Sequence, residues 1–120
     1  MKIISLTLAA LVALAVIAVA AQGASTSGKT LKATTGPGFT ISLKNAAGKR
    51  VRRLRHGRYT IKVADKSNIH NFHLKGPGVN KKTTIPFVGS KTWHVKLTKG
   101  TYGYKCDIHF TTMHGSFKVR

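Results

Sequence analysis

Acidic residues are almost absent from this sequence. Its 120 residues include only Asp65 and Asp107 and no glutamate, against 21 lysines and arginines, which leaves a formal net charge of +19. Two acids so far apart in the chain exclude the paired-carboxylate chemistry of a typical glycoside hydrolase. They are also too few for an EF-hand loop or a two-metal nuclease site.

Cysteine is equally scarce. Cys106 is the single cysteine, so the chain cannot form an intramolecular disulfide. Such a residue can pair with another chain, lie inert in a core or bind a ligand. In an exported protein a lone cysteine is unusual, because oxidising compartments favour paired cysteines. Its role therefore has to be inferred from the residues around it.

The N-terminus carries a long apolar segment. Lys2 precedes residues 3–21, which are apolar apart from Ser5 and Thr7 and which end in small residues. A positive start, an apolar middle and a small-residue exit predict a helical signal peptide over residues 1–21, with an uncleaved anchor as the alternative. Residues 22–30 are predicted to be a flexible linker and residues 31–120 a single folded domain. The mature protein is then exported: periplasmic, secreted or at the cell surface.

Beyond residue 30, turn signals separate short segments in which apolar and polar residues alternate. This period of two, with no helical period outside the first segment, predicts an all-β sandwich. The predicted inward residues of four such segments are Phe39, Ile41 and Leu43; Tyr59, Ile61 and Val63; Trp93, Val95 and Leu97; and Gly115, Phe117 and Val119.

The same alternation assigns two chemically reactive side chains to the interior. His70 shares its face with Phe72 and Leu74, whereas Cys106 shares its face with the two tyrosines that precede it in residues 101–106. Each lies next to a predicted loop and therefore near an end of the sandwich. The pattern predicts that His70 and Cys106 contribute to a metal site.

Two further candidate ligands follow Cys106. The spacing Cys-x2-His-x3-Met places His109 and Met113 in the same short segment. Sulfur ligands select copper(I) and imidazole suits both copper states. Together with His70, these residues are the ligand set of a type 1 copper centre, with trigonal His2Cys and a long axial Met. We expect one copper ion that cycles between Cu(I) and Cu(II) and serves electron transfer.

These motifs resemble those of the cupredoxins, the plastocyanin-like blue copper proteins, from about residue 59 to residue 120. The resemblance implies a Greek-key β-sandwich of the cupredoxin type, in which His70, Cys106, His109 and Met113 bind copper. It also implies that Asn71 joins the two ligand loops by hydrogen bonds and that the exposed ring edge of His109 is the electron port. The segment from His109 to Met113 is one residue shorter than in common plastocyanins. His114, next to the methionine, is a further candidate for the port.

Other interpretations remain open for these residues. Cys106 could be an inert buried thiol, His70 a core histidine, His109 a surface loop residue and Met113 a core methionine. Zinc could be held by Cys106, His109, His114 and His70. The same copper ligands would also suit copper delivery or tolerance, and a metal-free sandwich could act as an adhesion module. The remaining histidines are expected to have no special role, namely His56, His73 and His94.

The positive charge has two explanations. Residues 49–58 include six lysines and arginines, and other cations occupy outward positions of strands. Such charge either attracts an acidic redox protein or an anionic membrane or wall surface, or it keeps the protein soluble. Nucleic acid is disfavoured, because the chain is predicted to be exported and has no recognisable binding motif. We expect a monomeric electron carrier and no enzymatic turnover, since this ligand set leaves no open metal position.

Overall fold

A computed structural model describes residues 29–120 of the chain. The predicted signal peptide and most of the predicted linker lie outside the described residues. Strand β1 begins at Lys29, so the last two residues assigned to the linker belong to the folded domain instead, where they pair with β4. In the described part of the chain, no helix is long and apolar enough to cross a membrane.

The described residues form an all-β sandwich, as the alternation predicted. One sheet has four strands in the order β2-β1-β4-β7 and the other has five in the order β3-β9-β8-β5-β6. Both sheets are mixed, because β1 pairs in parallel with β4 and β3 pairs in parallel with β9. The strands are β1 (Lys29–Thr35), β2 (Ile41–Lys44), β3 (Arg53–Leu54), β4 (Gly57–Asp65), β5 (His73–Gly76), β6 (Val79–Lys82), β7 (Gly89–Leu97), β8 (Gly100–Lys105) and β9 (His114–Val119).

The core lies between the two sheets and is formed by the predicted inward positions. Aromatic rings make up much of the five-stranded side, where Phe72 stacks on Tyr104 and Tyr102 stacks on Phe117, each pair with ring centroids 5.4 Å apart. Leu43, Ile61 and Leu97 from the other sheet, like many of their neighbours, are fully buried. Phe39 is the exception to the alternation, because β2 begins only at Ile41 and the Phe39 side chain is 61% exposed.

One end of the sandwich collects the chemically reactive residues. Strand β4 ends at Asp65 and strand β8 ends at Lys105, and the segments that follow them contain His70 and Cys106. Because β8 and β9 are antiparallel neighbours, the loop between them returns to the same end with His109 and Met113. The β1–β2 loop with Phe39 also lies there, since β1 runs parallel to β4.

Candidate metal centre

Three ligand atoms converge at this end of the sandwich. The Nδ1 atoms of His70 and His109 are 3.0 Å apart, and the sulfur of Cys106 lies 3.8 and 3.7 Å from them. A point equidistant from the three atoms is about 2 Å from each, close to the usual length of a bond from zinc or a similar metal ion to nitrogen and slightly short of that to sulfur. The sequence placed these three residues in one site, and the structure brings them together.

The burial of the candidate ligands favours metal binding. His70 and Cys106 are fully buried, and His109 is half-buried at the surface. Burial lowers the pKa of His70, the neighbouring His109 lowers it further, and the carboxylate of Asp65 partly opposes both effects. The lowered pKa favours the neutral form of His70, which is the form of imidazole that binds metals.

The loop between β8 and β9 is folded tightly onto its own ends. The carbonyl oxygen of His109 accepts hydrogen bonds from the amides of Thr112 and Met113, and the amide of Cys106 donates to the carbonyl of Met113 at 3.0 Å. These bonds place the fully buried Met113 directly beside the backbone of Cys106. Ligation by the Met113 sulfur stays a prediction.

Asn71 joins the two ligand loops. Its amide nitrogen donates to the carboxylate of Asp107 at 2.8 Å and to the carbonyl of Thr83 at 3.1 Å. Its side-chain oxygen accepts from the amide of Asp107 at 2.8 Å. Since Asp107 follows Cys106 and Asn71 follows His70, these bonds set the spacing of the imidazole and the thiol. The resemblance implied such a connection.

Replacing Asn71 with alanine should therefore destabilise the fold strongly. The change leaves the buried partner groups unsatisfied, at about 1–3 kcal/mol for each group, so we expect the free energy of unfolding to fall by about 2–4 kcal/mol in total. Chemical denaturation of the metal-free protein measures this change.

Asn45→Ala is the matched control, because the Asn45 side chain bonds only to the amides of Ala47 and Lys49 in an exposed turn far from the site. It should cost about 1 kcal/mol or less. Equal losses for the two variants would mean that Asn71 acts only as an ordinary turn residue.

His73, for which the sequence predicted no special role, also contacts the residues that join the two loops. His73 contacts Asp107 through Nδ1 at 2.7 Å and the side-chain oxygen of Asn80 through Nε2 at 2.6 Å. Burial alone would raise the pKa of Asp107, but the hydrogen bonds from His73 and Asn71 and the positive charges of His73 and Lys105 hold it below its usual range. The expectation that His73 has no special role was wrong, because its outward direction on β5 points it at the residue after Cys106.

The other acid supports the His70 loop. Asp65 is buried and accepts hydrogen bonds from the Thr83 hydroxyl at 2.7 Å and from the Ser67 amide at 3.3 Å. The Thr83 hydroxyl in turn accepts from the amide of Phe72 at 2.9 Å. One signal in the sequence indicated the roles of Asp65 and Asp107, namely that they are its only two acids. Asp107 directly follows Cys106, and Asp65 precedes His70 by five residues.

Phe39 covers both imidazoles. Its ring packs edge-on against His70 and against His109, with ring centroids 5.0 Å apart in each case. The alternation pattern placed Phe39 inside a strand and the core. It lies in a loop instead, because the turn at residues 36–40 continues as far as the start of β2.

His114 does not join the three ligand atoms. It is exposed at the start of β9, opposite Lys105, and its Nδ1 lies 2.8 Å from the carbonyl oxygen of Phe110. The zinc alternative that included His114 as a fourth ligand is therefore wrong, since the side chain lies on the outer face of the sheet. Its role as an electron port stays a prediction. His56 and His94 are exposed and lie on strands or turns away from the site.

The residues present fit a soft, imidazole-binding metal ion. Each of the three converging atoms has the other two as close polar neighbours. In addition, Nε2 of His70 is buried without any hydrogen-bond partner among the described residues. Two nitrogens 3.0 Å apart and one thiol sulfur 3.7 and 3.8 Å from them are compatible with a type 1 copper site. A carboxylate is not among them, which disfavours calcium and magnesium.

Comparison with known proteins gives information about the fold of the chain. No protein-family model matches the sequence, and no curated protein is similar to it. Among solved structures, 78% of the chain is similar to reduced rusticyanin, with 24% identity, a TM-score of 0.54 and 81% of that chain covered.

A glutamine-for-methionine variant of rusticyanin gives 25% identity and a TM-score of 0.56, with 78% of this chain and 80% of that chain covered. Reduced rusticyanin in solution gives 25% and 0.52, covering 78% and 79%. Rusticyanin is a cupredoxin. The chain therefore has the cupredoxin fold, and the resemblance to the cupredoxin family seen in its sequence is confirmed.

Proposed function

We propose that this protein is an exported blue copper protein that carries single electrons between redox partners. The observation that carries the proposal is the convergence of two imidazole nitrogens and one thiol sulfur within 4.8 Å of one another. The similar rusticyanin structures add support, because rusticyanin is a copper protein and two of these structures are of its reduced state. Bound copper would supply a one-electron redox centre.

The chain contributes rigidity to that chemistry. Cys106 and His70 are held on opposite sides of the Asn71–Asp107 hydrogen bonds, and His109 is held by the turn that its carbonyl oxygen closes. A site whose ligands cannot move far needs little rearrangement when its charge changes by one. We assign the imidazoles to His70 and His109, the thiolate to Cys106 and a weak axial contact to Met113.

Electrons would enter and leave at the end where His109 is half-buried. Four large apolar side chains around the two histidines are at least 50% exposed, namely Phe39, Ile69, Ile108 and Phe110. An exposed apolar cluster of this kind marks an interaction site. A redox partner docking there would exclude water and approach the His109 ring.

The surroundings of the protein belong to the same proposal. The apolar N-terminal segment supports export to the periplasm, the exterior or the cell surface. The charge of +19 supports an acidic redox protein or an anionic surface as the partner. The protein would act as a monomer and without turnover of a substrate.

Copper titration of the mature chain tests the proposed function. One equivalent of Cu(II) should produce an intense blue or green colour, since a thiolate bound to Cu(II) gives strong charge transfer. Ascorbate should bleach the colour and a mild oxidant should restore it through many cycles. A colourless complex would contradict the assignment, and rapid loss of copper to a competing chelator on reduction would indicate copper delivery instead.

Replacing Met113 with leucine should leave copper binding intact. The two side chains have similar volumes, so the free energy of unfolding should fall by less than about 1.5 kcal/mol. The colour should persist and the reduction potential should rise, because the oxidised ion loses an electron donor. Voltammetry of the wild type and the variant measures the change, and loss of copper binding would mean that Met113 is a principal ligand.

A further inference from the structure

The four-stranded sheet carries an unusual row of lysines on its outer face. Lys44 on β2 is paired with Lys32 on β1, and Lys32 is paired with Lys62 on β4. Lys62 is paired in turn with Thr92 on β7. All four side chains are exposed, and we call the three lysines, Lys32, Lys44 and Lys62, the lysine row.

The lysine row works against the stability of the sheet. Neighbouring strands lie about 4.8 Å apart, so three ammonium groups are attached to backbone positions that span about 10 Å. Like charges directly opposite each other on adjacent strands are destabilising. The next rows toward either end of the sheet are mostly uncharged, with Thr30 and Thr60 on one side and Thr34 and Ala64 on the other.

No carboxylate of the described residues compensates this charge. Asp65 is buried and bonded to Thr83, and Asp107 is engaged by Asn71 and His73. Within residues 29–120, the His73–Asp107 contact is the only ion pair. The counter-charge for the lysine row therefore has to come from outside the described chain.

The face also has a shape that can hold a ligand. A groove of about 230 Å³ runs beside Lys32 and Lys62. It is also lined by the small residue Ala64 and by three residues with hydroxyl groups, Thr34, Ser90 and Thr92. Ammonium and hydroxyl groups together match the oxygens of phosphate groups.

We propose that the lysine row and its groove bind a linear phosphate polymer. The lysine row spans three of the four strands of the sheet. A phosphate group bound in the groove beside Lys32 and Lys62 leaves Lys44 free to bind the next phosphate group of an extended ligand. None of the residues that line the groove is a large exposed apolar side chain, so the groove itself offers nothing to insert into a bilayer. Binding there keeps the end with His70 and His109 free, and it requires no metal.

The test compares two triple variants that remove the same charge. Lys32→Gln/Lys44→Gln/Lys62→Gln removes the lysine row. Lys75→Gln/Lys81→Gln/Lys99→Gln is the matched control. Each of these lysines is exposed, and they lie on β5, on β6 and in the turn after β7, respectively. Affinity for long-chain polyphosphate is measured by fluorescence anisotropy over a series of salt concentrations, with the metal-free and the copper-loaded full chain.

Removal of the lysine row should weaken polyphosphate binding about tenfold or more near physiological salt. The plot of log K against log salt has a negative slope. Each lost phosphate contact makes this slope shallower by about 0.7, so the loss of three contacts should make it shallower by about 2. The control should change the affinity less than about threefold. The melting temperature of the row variant should equal or exceed that of the wild type, because like-charge repulsion is removed.

Several outcomes would overturn the proposal. These are absence of polyphosphate binding by the wild type, equal losses in both triple variants, and equally tight binding of vesicles of anionic lipid through the same lysines. If inorganic phosphate displaces polyphosphate at the same concentration of phosphate groups, the face binds single phosphate ions and not a polymer. Because metal-free protein is included, failure here leaves the copper assignment intact, and failure of copper binding leaves this proposal intact.

Discussion

Cys106→Ala is expected to abolish the colour of the copper-treated protein completely. The thiolate is the only ligand of the proposed set that can give intense charge transfer to Cu(II), and Cys106 is the only cysteine of the chain. No neighbouring thiol can replace it. Any residual copper bound by His70 and His109 should therefore give only the weak absorption of nitrogen and oxygen ligation.

The fold should survive this substitution. Cys106 is fully buried directly after the end of β8, and alanine removes one sulfur atom from a site next to solvent-accessible loops. The circular dichroism spectrum of a β protein should be unchanged. His94→Ala serves as the control, since His94 is exposed on β7, and it should leave the colour unaltered. Persistence of the colour in Cys106→Ala would refute the assignment.

Gly115→Ala is expected to produce a large loss of stability. A Cβ atom at Gly115 would overlap the ring of Tyr104, its partner on β8. The ring cannot move aside easily, because Tyr104 is 2% exposed and stacks on Phe72 at an interplanar angle of 13°. Overpacking of this kind typically costs 1–3 kcal/mol and sometimes more, so we expect a loss of about 3 kcal/mol.

Gly103→Ala provides a control on the adjacent strand. A Cβ atom at Gly103 would lie 3.8 Å from the carbonyl oxygen of Gly115, an ordinary contact. The free energy of unfolding should change by less than about 1 kcal/mol, with a tendency to increase because alanine loses less backbone entropy than glycine on folding. Urea denaturation of both variants measures the difference. Equal effects would mean that the Tyr104 ring adapts to the new methyl group.

Displacement of Tyr104 should also affect the metal centre. Tyr104 is two residues before Cys106 on β8, and Gly115 is two residues after Met113. Forcing these strands apart moves both ends of the loop that carries His109. We therefore expect Gly115→Ala to weaken copper binding as well as stability, whereas Gly103→Ala should leave the copper colour unchanged.

The alternation of residues predicted much of the core. Ile61 and Val63, and likewise Val95 and Leu97, are buried as their positions required, because side chains alternate between faces in any extended strand. The rule fails where the chain is not extended. Phe39 illustrates this failure, since its turn places it over the histidines rather than in the core.

The roles of the polar residues were less accessible from the sequence. His73 was expected to have no special role because its direction is outward, yet Asp107 reaches it from a loop 34 residues away. The lysine row was equally hidden, because the sequence does not state which strands are neighbours. Lys32 and Lys62 face each other only through the parallel pairing of β1 with β4.

The sequence by itself determined the all-β class, the inward positions of its strands, and the types of residue that form the candidate metal centre. Each of these follows from local rules, namely the two-residue period of a strand and the chemistry of thiol, imidazole and thioether groups. Only the tertiary structure decided that two imidazole nitrogens and the sulfur lie at the corners of one small triangle, which residues hold them there, and which cations share a face. Such distances depend on strand pairing and loop closure between residues far apart in the chain, and no local pattern encodes them.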